Sequence, residues 1–395
     1  MDYKVLRYEN VDGKTVFLRV DLNSSVHNGK PVIGKRIKAH AETIKYLNKR
    51  NCKLVIVSHQ GRRGEKNFIS LKPYARILSQ LVGTEIRFCG WKENYLEKIK
   101  GLRNKDILLL ENTRFREGET EERKAILHAR ESYVEKLAQL ADVFVQDALS
   151  ICHRSHASVV GFCTVPSFIG PVLEKELKAL EEVDKCDGRK TLLLGGAKPR
   201  DSLKLAESMM EHGRADGVLL GGVPGEIALA SKNMLKGKTV EFLEKKGLKE
   251  VSGDAEKLME KFHQSVFIPK DLAFEYAGKR IECLVEELPS SALSKDIGAR
   301  TVAEFSEKIK ESGLVVFNGP VGVFEEKNFQ FGTKSLLNSI SESKAFSLLG
   351  GGDTETALET LGFEEGNFSH VSLAGKALLQ YLAGKKMPGL EVLKK

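Results

Sequence analysis

Residues 191–198 read Thr-Leu-Leu-Leu-Gly-Gly-Ala-Lys: a short apolar run, then a Gly-Gly turn, then a cation. One such stretch is a weak signal, but the pattern recurs. Gly217–Leu220 precedes Gly221-Gly222-Val223-Pro224-Gly225. Leu314–Phe317 precedes Asn318-Gly319-Pro320-Val321-Gly322-Val323-Phe324-Glu325. Phe346–Leu349 precedes Gly350-Gly351-Gly352-Asp353-Thr354. Working back toward the N-terminus, further apolar runs occur at Thr15–Val20, Leu54–Val57, Ile107–Leu110 and Val143–Val145. Short continuous apolar runs bounded by breakers predict buried parallel strands. The stretches between them are long enough for helices, with helical patterning at Ala41–Arg50, Ser132–Ala141 and Leu203–His212. The sequence therefore predicts two successive α/β units, each a parallel sheet covered by helices. Pro166 and Gly170 interrupt the pattern and place the boundary near Thr164–Gly170. A long charged helix is expected just after it, over Val172–Lys185, with Leu173, Leu177, Leu180 and Val183 as its apolar stripe.

The chain has 395 residues, 41% hydrophobic and 29% charged. These values suit a globular protein of two domains and exclude collagen, wholesale disorder and a disulfide-stapled miniprotein. No apolar run approaches the roughly 20 residues of a membrane helix. Met1-Asp2-Tyr3-Lys4 has no apolar core behind it, so no secretory signal is expected. Cysteines 52, 89, 152, 163, 186 and 283 form no C-x-x-C pair, which points to free thiols and a cytoplasmic protein. Residues 1–165 carry 30 Lys+Arg against 19 Asp+Glu, a net of +11; residues 166–395 carry 32 against 35, a net of −3; together they return the overall +8. The first half should favour an anion.

In open α/β sheets the ligand lies beyond the carboxyl ends of the strands. In the first half those ends read Arg19-Val20-Asp21-Leu22-Asn23, Ser58-His59-Gln60-Gly61-Arg62-Arg63, Glu111-Asn112-Thr113-Arg114-Phe115-Arg116 and Gln146-Asp147-Ala148-Leu149-Ser150, with His153-Arg154-Ser155-His156 following. Arg36 joins them from a Lys35-Arg36-Ile37 turn. Arginine at several equivalent strand ends implies one basic cluster suited to a small dianion bearing carboxylate and phosphate. These loops lack the stacking aromatics of a nucleic-acid surface. In the second half the glycine turns let backbone approach phosphate, and each following helix start adds free N–H groups. Lys198 adds a mobile cation. Asp353 is either a helix cap or a carboxylate for Mg²⁺. No P-loop is present, and G-x-G-x-x-G is absent too, so neither a dinucleotide fingerprint nor the protein-kinase glycine loop fits.

Taken in order, these strings resemble the phosphoglycerate kinase family over essentially the whole chain, and the compact form with its Lys198-Pro199 turn resembles the archaeal branch. The resemblance implies two Rossmann-like parallel-sheet domains facing each other across a hinged cleft. Residues 1–166 would bind 3-phosphoglycerate, 167–371 would bind nucleotide, and 372–395 would return to the first domain. It implies an acid site of Asp21, Asn23, Arg36, His59, Arg62, Arg114 and Arg154. It implies a nucleotide site of Gly195, Gly196, Lys198, Asn318, Glu325, Gly351, Gly352, Asp353 and Thr354, with Mg²⁺ held indirectly by Asp353. Arg36 and Lys198 would flank the phosphoryl group in flight. The partners are then ATP and 3-phosphoglycerate, with no nucleic acid or membrane, in a monomer or homodimer.

Three positions depart from the family pattern. Ser202 stands where a second lysine is usual, and Gln146 replaces Asn before Asp147-Ala148. The late glycine turn reads Ser372-Leu373-Ala374-Gly375-Lys376-Ala377 where the family has Ser-Thr-Gly-Gly-Gly-Ala. This substitution is harmful if the replaced glycines need positive φ and harmless if they are helical. Lys376 is expected to lend charge to the transferring phosphoryl, against the plainer reading of a solvated helix-end lysine. The competing functions are a binding paralogue with impaired catalysis and a basic polyanion-binding protein.

Overall fold

The computed structural model describes residues 3–394. They form two compact α/β units. One runs to Leu177 and takes back the stretch from Lys386; the other is Lys178–Lys385.

The first unit holds a six-stranded parallel sheet in the order Arg87–Cys89, Ile107–Leu110, Lys53–Val57, Thr15–Arg19, Val143–Gln146, Ser167–Ile169. Its four central strands are the predicted apolar runs. They are apolar on both faces because helices cover both faces. Burial of Val16, Leu18, Leu54, Ile56, Leu109 and Val145 builds the core, at about 1.5–3 kcal/mol for each side chain fully removed from water. Register fixes where the loops emerge: Arg19 pairs with Val57 on one side and Gln146 on the other. The loops after these three strands therefore leave the sheet side by side.

The stretch from Lys386 completes this unit. Gly389 N–H donates to the Cys152 carbonyl at 2.8 Å, and Tyr3 bridges Lys394 in antiparallel fashion. Gly389 lies so close that a Cβ there would meet Cys152 Cα at 2.8 Å.

The second unit has its own six-stranded parallel sheet, in the order Val266–Phe267, Gly217–Leu220, Lys190–Leu194, Leu314–Asn318, Phe346–Gly350, His370–Val371. Counting these strands by appearance, the order is 3-2-1-4-5-6, that of the doubly wound nucleotide-binding fold. Leu194 pairs with Leu220 and Asn318, and Asn318 pairs with Gly350. All four glycine-rich turns thus emerge at one edge. The order reverses between Lys190–Leu194 and Leu314–Asn318, which opens a crevice there.

Some elements differ from expectation. Arg36 lies not in a turn but in the first turn of the helix Lys35–Asn48. The helix expected over 132–141 is shorter, and a second, unexpected helix precedes it. Ser132 Oγ donates to the His128 carbonyl at 2.6 Å and accepts from Val134 N at 3.2 Å. One helix therefore ends at Glu131 and a five-residue helix, Val134–Ala138, follows. An unexpected antiparallel sheet is built from Asp271–Tyr276, Lys279–Leu284 and Ser294–Ile297. Its hairpin turns through Ala277 and Gly278 with φ of 49° and 74°, the two-residue turn that matches strand twist.

Candidate active site

The first unit gathers the basic cluster. Asp21 follows the strand ending at Arg19, and its carboxylate is buried. Arg36 Nη1 lies 3.1 Å from Asp21 Oδ2 and donates to the Asn23 carbonyl at 3.2 Å. Ser150 Oγ donates to Asp21 Oδ2 at 2.5 Å, and Asn23 N–H donates to Oδ1 at 2.9 Å. Burial favours the protonated acid, but Arg36 and these hydrogen bonds outweigh it and hold Asp21 below the usual carboxylate range. Asn23 Oδ1 in turn accepts from Gly61 N–H at 2.9 Å, and Arg114 donates to the Gly61 carbonyl. Strand ends far apart in sequence are thereby tied together.

His59 is buried, and its Nδ1 lies 3.2 Å from Arg19 Nη2. A guanidinium can only donate, so Nδ1 accepts and the imidazole proton sits on Nε2. Burial and the neighbouring Arg19 and Arg114 keep this ring neutral at pH 7, against the pull of Asp21. His156 is likewise lowered to about 3 by burial and by Arg114, Arg154 and Arg19. Burial pulls Arg114 down to about 10, with Arg19 and Arg62 adding repulsion, so it stays protonated. Arg62 is exposed, and Arg154 lies 3.6 Å from Glu122 Oε1. Mutually repelling cations held close together by the fold suit an anion. A cavity of about 470 Å³ beside Arg114 is lined by Arg63, Phe68, Phe115 and Arg116.

In the second unit, the crevice holds two adjoining cavities that share lining residues. The larger, about 430 Å³, is walled by Phe242, Leu272, Val321 and Phe324 and reaches Glu325. The smaller, about 260 Å³, is lined by Gly195, Lys198, Asn318, Gly351, Gly352, Thr354 and Lys376. Both include Gly196, Ala197 and Asp353. A wide apolar slot beside a narrow glycine-lined one matches a nucleoside followed by its phosphates.

Close backbone approach builds the narrow end. Gly195 N–H donates to the Asn318 carbonyl at 2.9 Å, and a Cβ on Gly195 would meet the Pro320 carbonyl oxygen at 2.3 Å. Thr354, fully buried, accepts from Gly319 N–H at 2.9 Å and donates to the Gly350 carbonyl at 2.8 Å. Its hydroxyl thus staples two turns. Lys198 caps the helix Pro199–Glu211, and Gly351 caps Gly352–Leu361. Their first N–H groups and helix dipoles suit an anion. Asp353 is not the cap but lies in the first turn of the second of these helices, exposed. Among the described residues no cluster of three or more His, Cys, Asp or Glu could hold a metal.

The altered late turn is unstrained. Of residues 372–377 only Gly375 has positive φ, 55°, and there glycine is kept. Ala374 and Lys376 occupy ordinary backbone. Lys376 Nζ lies 3.2 Å from both carboxylate oxygens of Asp201. Ser202 is buried.

The sequence reading overlooked Glu226, Ser294 and Asp201, which also line this crevice. None belongs to a glycine turn, the only signal it followed here.

Comparison with known proteins gives a consistent result. The phosphoglycerate kinase family profile matches residues 6–385. A phosphoglycerate kinase of Methanosarcina mazei is 38% identical over 98% of this chain and 93% of its own. That of Methanopyrus kandleri is 37% identical over 98% of both. The crystal structure of phosphoglycerate kinase from Pyrococcus horikoshii superimposes with a TM-score of 0.90 at 35% identity, covering 99% of this chain and 98% of its own. The structure of phosphoglycerate kinase from Coxiella burnetii gives 0.84 at 29% identity, with the same coverage.

Proposed function

The chain belongs to the phosphoglycerate kinase family, and from that premise we propose how its residues share the work of reversible phosphoryl transfer between ATP and the carboxylate of 3-phosphoglycerate. The observation that carries the assignment is the adjoining pair of cavities at the crevice of the second sheet. The apolar slot takes the nucleoside, with Glu325 at the ribose. Gly195, Gly196, Asn318, Gly351, Gly352 and Thr354 shape the phosphate end, and Lys198 reaches the phosphates. In the first unit Asn23, His59, Arg62, Arg114 and Arg154 take the phosphate and carboxylate of the acid, while Asp21 orients Arg36.

An exposed carboxylate in the first helical turn behind a glycine turn fits Mg²⁺, which keeps several waters and binds through few carboxylates together with substrate phosphates. Asp353 is that carboxylate. Bound there, Mg²⁺ supplies charge neutralisation on the nucleotide phosphates.

The acceptor carboxylate is ionised at pH 7, so no general base is required. His59, neutral with its proton on Nε2, acts as a donor and not as a base. The protein's contribution is position and charge around a loose phosphoryl transition state. Arg36 supplies charge on the acid-binding unit and Lys198 on the nucleotide-binding unit. Because attack requires contact in a water-poor site, turnover brings the two ligands together.

No helix is long and apolar enough to cross a membrane among the described residues, and all six cysteines are unpaired. Both features fit a cytoplasmic enzyme of glycolysis or gluconeogenesis.

The deciding experiment is a coupled assay with ATP, Mg²⁺ and 3-phosphoglycerate, reading 1,3-bisphosphoglycerate through its reduction. Turnover above roughly 1 s⁻¹ is expected. Binding of both ligands without turnover would remove the kinase reading.

A further inference from the structure

Glu226 is the fifth residue of the helix Gly222–Ser231, whose other residues are glycine, proline, aliphatic side chains and a final serine. The residue is only 9% exposed and lines the larger, apolar cavity. A carboxyl buried in such a wall costs free energy unless it is satisfied. Ser294 Oγ donates to its Oε1, and Glu226 makes no other hydrogen bond among the described residues. Among those residues no cation pairs with it either. The charged groups beside Ser294 are engaged elsewhere: Lys295 with Glu275 at 3.1 Å and Glu326 at 2.8 Å, and Asp296 with Arg280 at 2.9 Å. Burial pushes the Glu226 carboxyl up to about 7, with the Ser294 hydrogen bond opposing. Neither a cap nor an ion pair accounts for an acid at this position, and its second oxygen is left for a ligand.

We propose that Glu226 reads the hydrogen-bonding edge of the nucleotide base and so sets the relative use of adenine and guanine nucleotides. This rests on the reading of the apolar cavity as the nucleoside slot. A carboxylate accepts from two adjacent donors, which guanine presents at N1–H and N2–H₂. A neutral carboxyl offers one donor and one acceptor, which match adenine N1 and N6–H₂. Ser294, bonded to Oε1, leaves Oε2 as the atom that adapts. Hypoxanthine has the N1 donor but no amino group, so it forfeits one contact.

The test compares kcat/KM for MgATP, MgGTP and MgITP in the wild type, Glu226→Gln and Glu226→Ala. Each variant is checked for a native thermal transition, and ADP and GDP binding are measured by calorimetry. The wild type should use ATP and GTP within about tenfold of each other, and ITP less well than GTP. An amide offers one donor and one acceptor permanently. Glu226→Gln should therefore shift the ATP/GTP ratio at least tenfold toward ATP, through KM and not kcat. Glu226→Ala should erase the difference between GTP and ITP. Unchanged ratios in folded variants that turn over ATP would overturn this inference alone. Failure of the wild type to bind either ADP or GDP would overturn the reading of the cavity and this inference with it.

Discussion

The ammonium of Lys376 sits equidistant, at 3.2 Å, from the two carboxylate oxygens of Asp201. The pair joins the late turn, where the family glycines are missing, to the helix that Lys198 caps. Both side chains are about half exposed, so the pair adds little to stability. Its interest is electrostatic. Asp201 partly cancels the charge that Lys376 can offer to a phosphoryl group in the adjoining cavity.

Lys376→Ala should therefore lower kcat about tenfold, roughly 1.4 kcal/mol of barrier, and leave the melting temperature within a degree or two. Asp201→Asn frees the lysine and should hold or raise kcat. In the Lys376→Ala background, Asp201→Asn should also restore part of the lost rate by removing a lone negative charge. Steady-state kinetics of the four enzymes checks this, and an unchanged kcat in Lys376→Ala would make the lysine a solvated helix-end residue.

Two glycines of the same cavity should respond in opposite ways. A methyl on Gly195 meets the Pro320 carbonyl oxygen at 2.3 Å, so the backbone must shift. Gly195→Ala should cost about 2–3 kcal/mol of stability and abolish nucleotide binding. A methyl on Gly352 would meet nothing within 4 Å, and the residue has no positive φ. Gly352→Ala should melt like the wild type yet raise KM for ATP, because the methyl occupies space open to phosphate. Thermal denaturation beside ADP titration separates the two outcomes.

Arg36 is held by Asp21 Oδ2 at 3.1 Å and by the Asn23 carbonyl at 3.2 Å. Both contacts are made by Nη1; lysine carries the same charge on one nitrogen, without the planar array of donors that a guanidinium brings to an anion. Arg36→Lys should therefore lower kcat about a hundredfold, about 3 kcal/mol, with a smaller change in KM. Asp21→Asn should reproduce part of the defect, since it loosens the same guanidinium. Equal rates for Arg36 and Arg36→Lys would show that charge alone suffices.

Stability should vary with pH through Glu226. Its folded value of about 7 exceeds the ordinary 4.5, so between those limits the native protein keeps a proton that the unfolded chain has released. The contribution is whole below pH 4.5 and declines as pH rises to 7, by up to about 3 kcal/mol. Glu226→Gln carries no such penalty. Urea unfolding of both proteins should show the variant gaining on the wild type between pH 4.5 and 7.5 and then holding its lead. A constant difference across that range would mean that the carboxyl is solvated.

What could be read beforehand was whatever is contiguous. Central strands such as Leu314–Asn318 are apolar on both faces, and the turns that follow them carry the site in short strings. The edge strands Val266–Phe267 and His370–Val371 are two residues long, too short for a periodicity to register. The hairpin at Ala277-Gly278 belongs to a small sheet whose outer strand, Lys279–Leu284, is largely exposed, so its apolar signal is weak. Within the site, Asp21 and Arg36 belong to recognisable motifs, but that Ser150 Oγ donates to Asp21 depends on strand register 129 residues away. Glu226 and Ser294 are 68 residues apart and meet only once the small antiparallel sheet has formed beside the larger one. Their relation had no local trace to follow.

The return of Lys386–Lys394 to the first unit bears on how the chain is made. The Gly389 hydrogen bond to Cys152 and the Tyr3–Lys394 bridge cannot form until all of Lys178–Lys385 has left the ribosome. At about 5–20 residues per second, the first unit waits on the order of 10–40 seconds with its last strap missing. The second unit, contiguous in the chain, can close beforehand. Order of synthesis and order of completion are therefore inverted, and the half that emerges first is the one finished last.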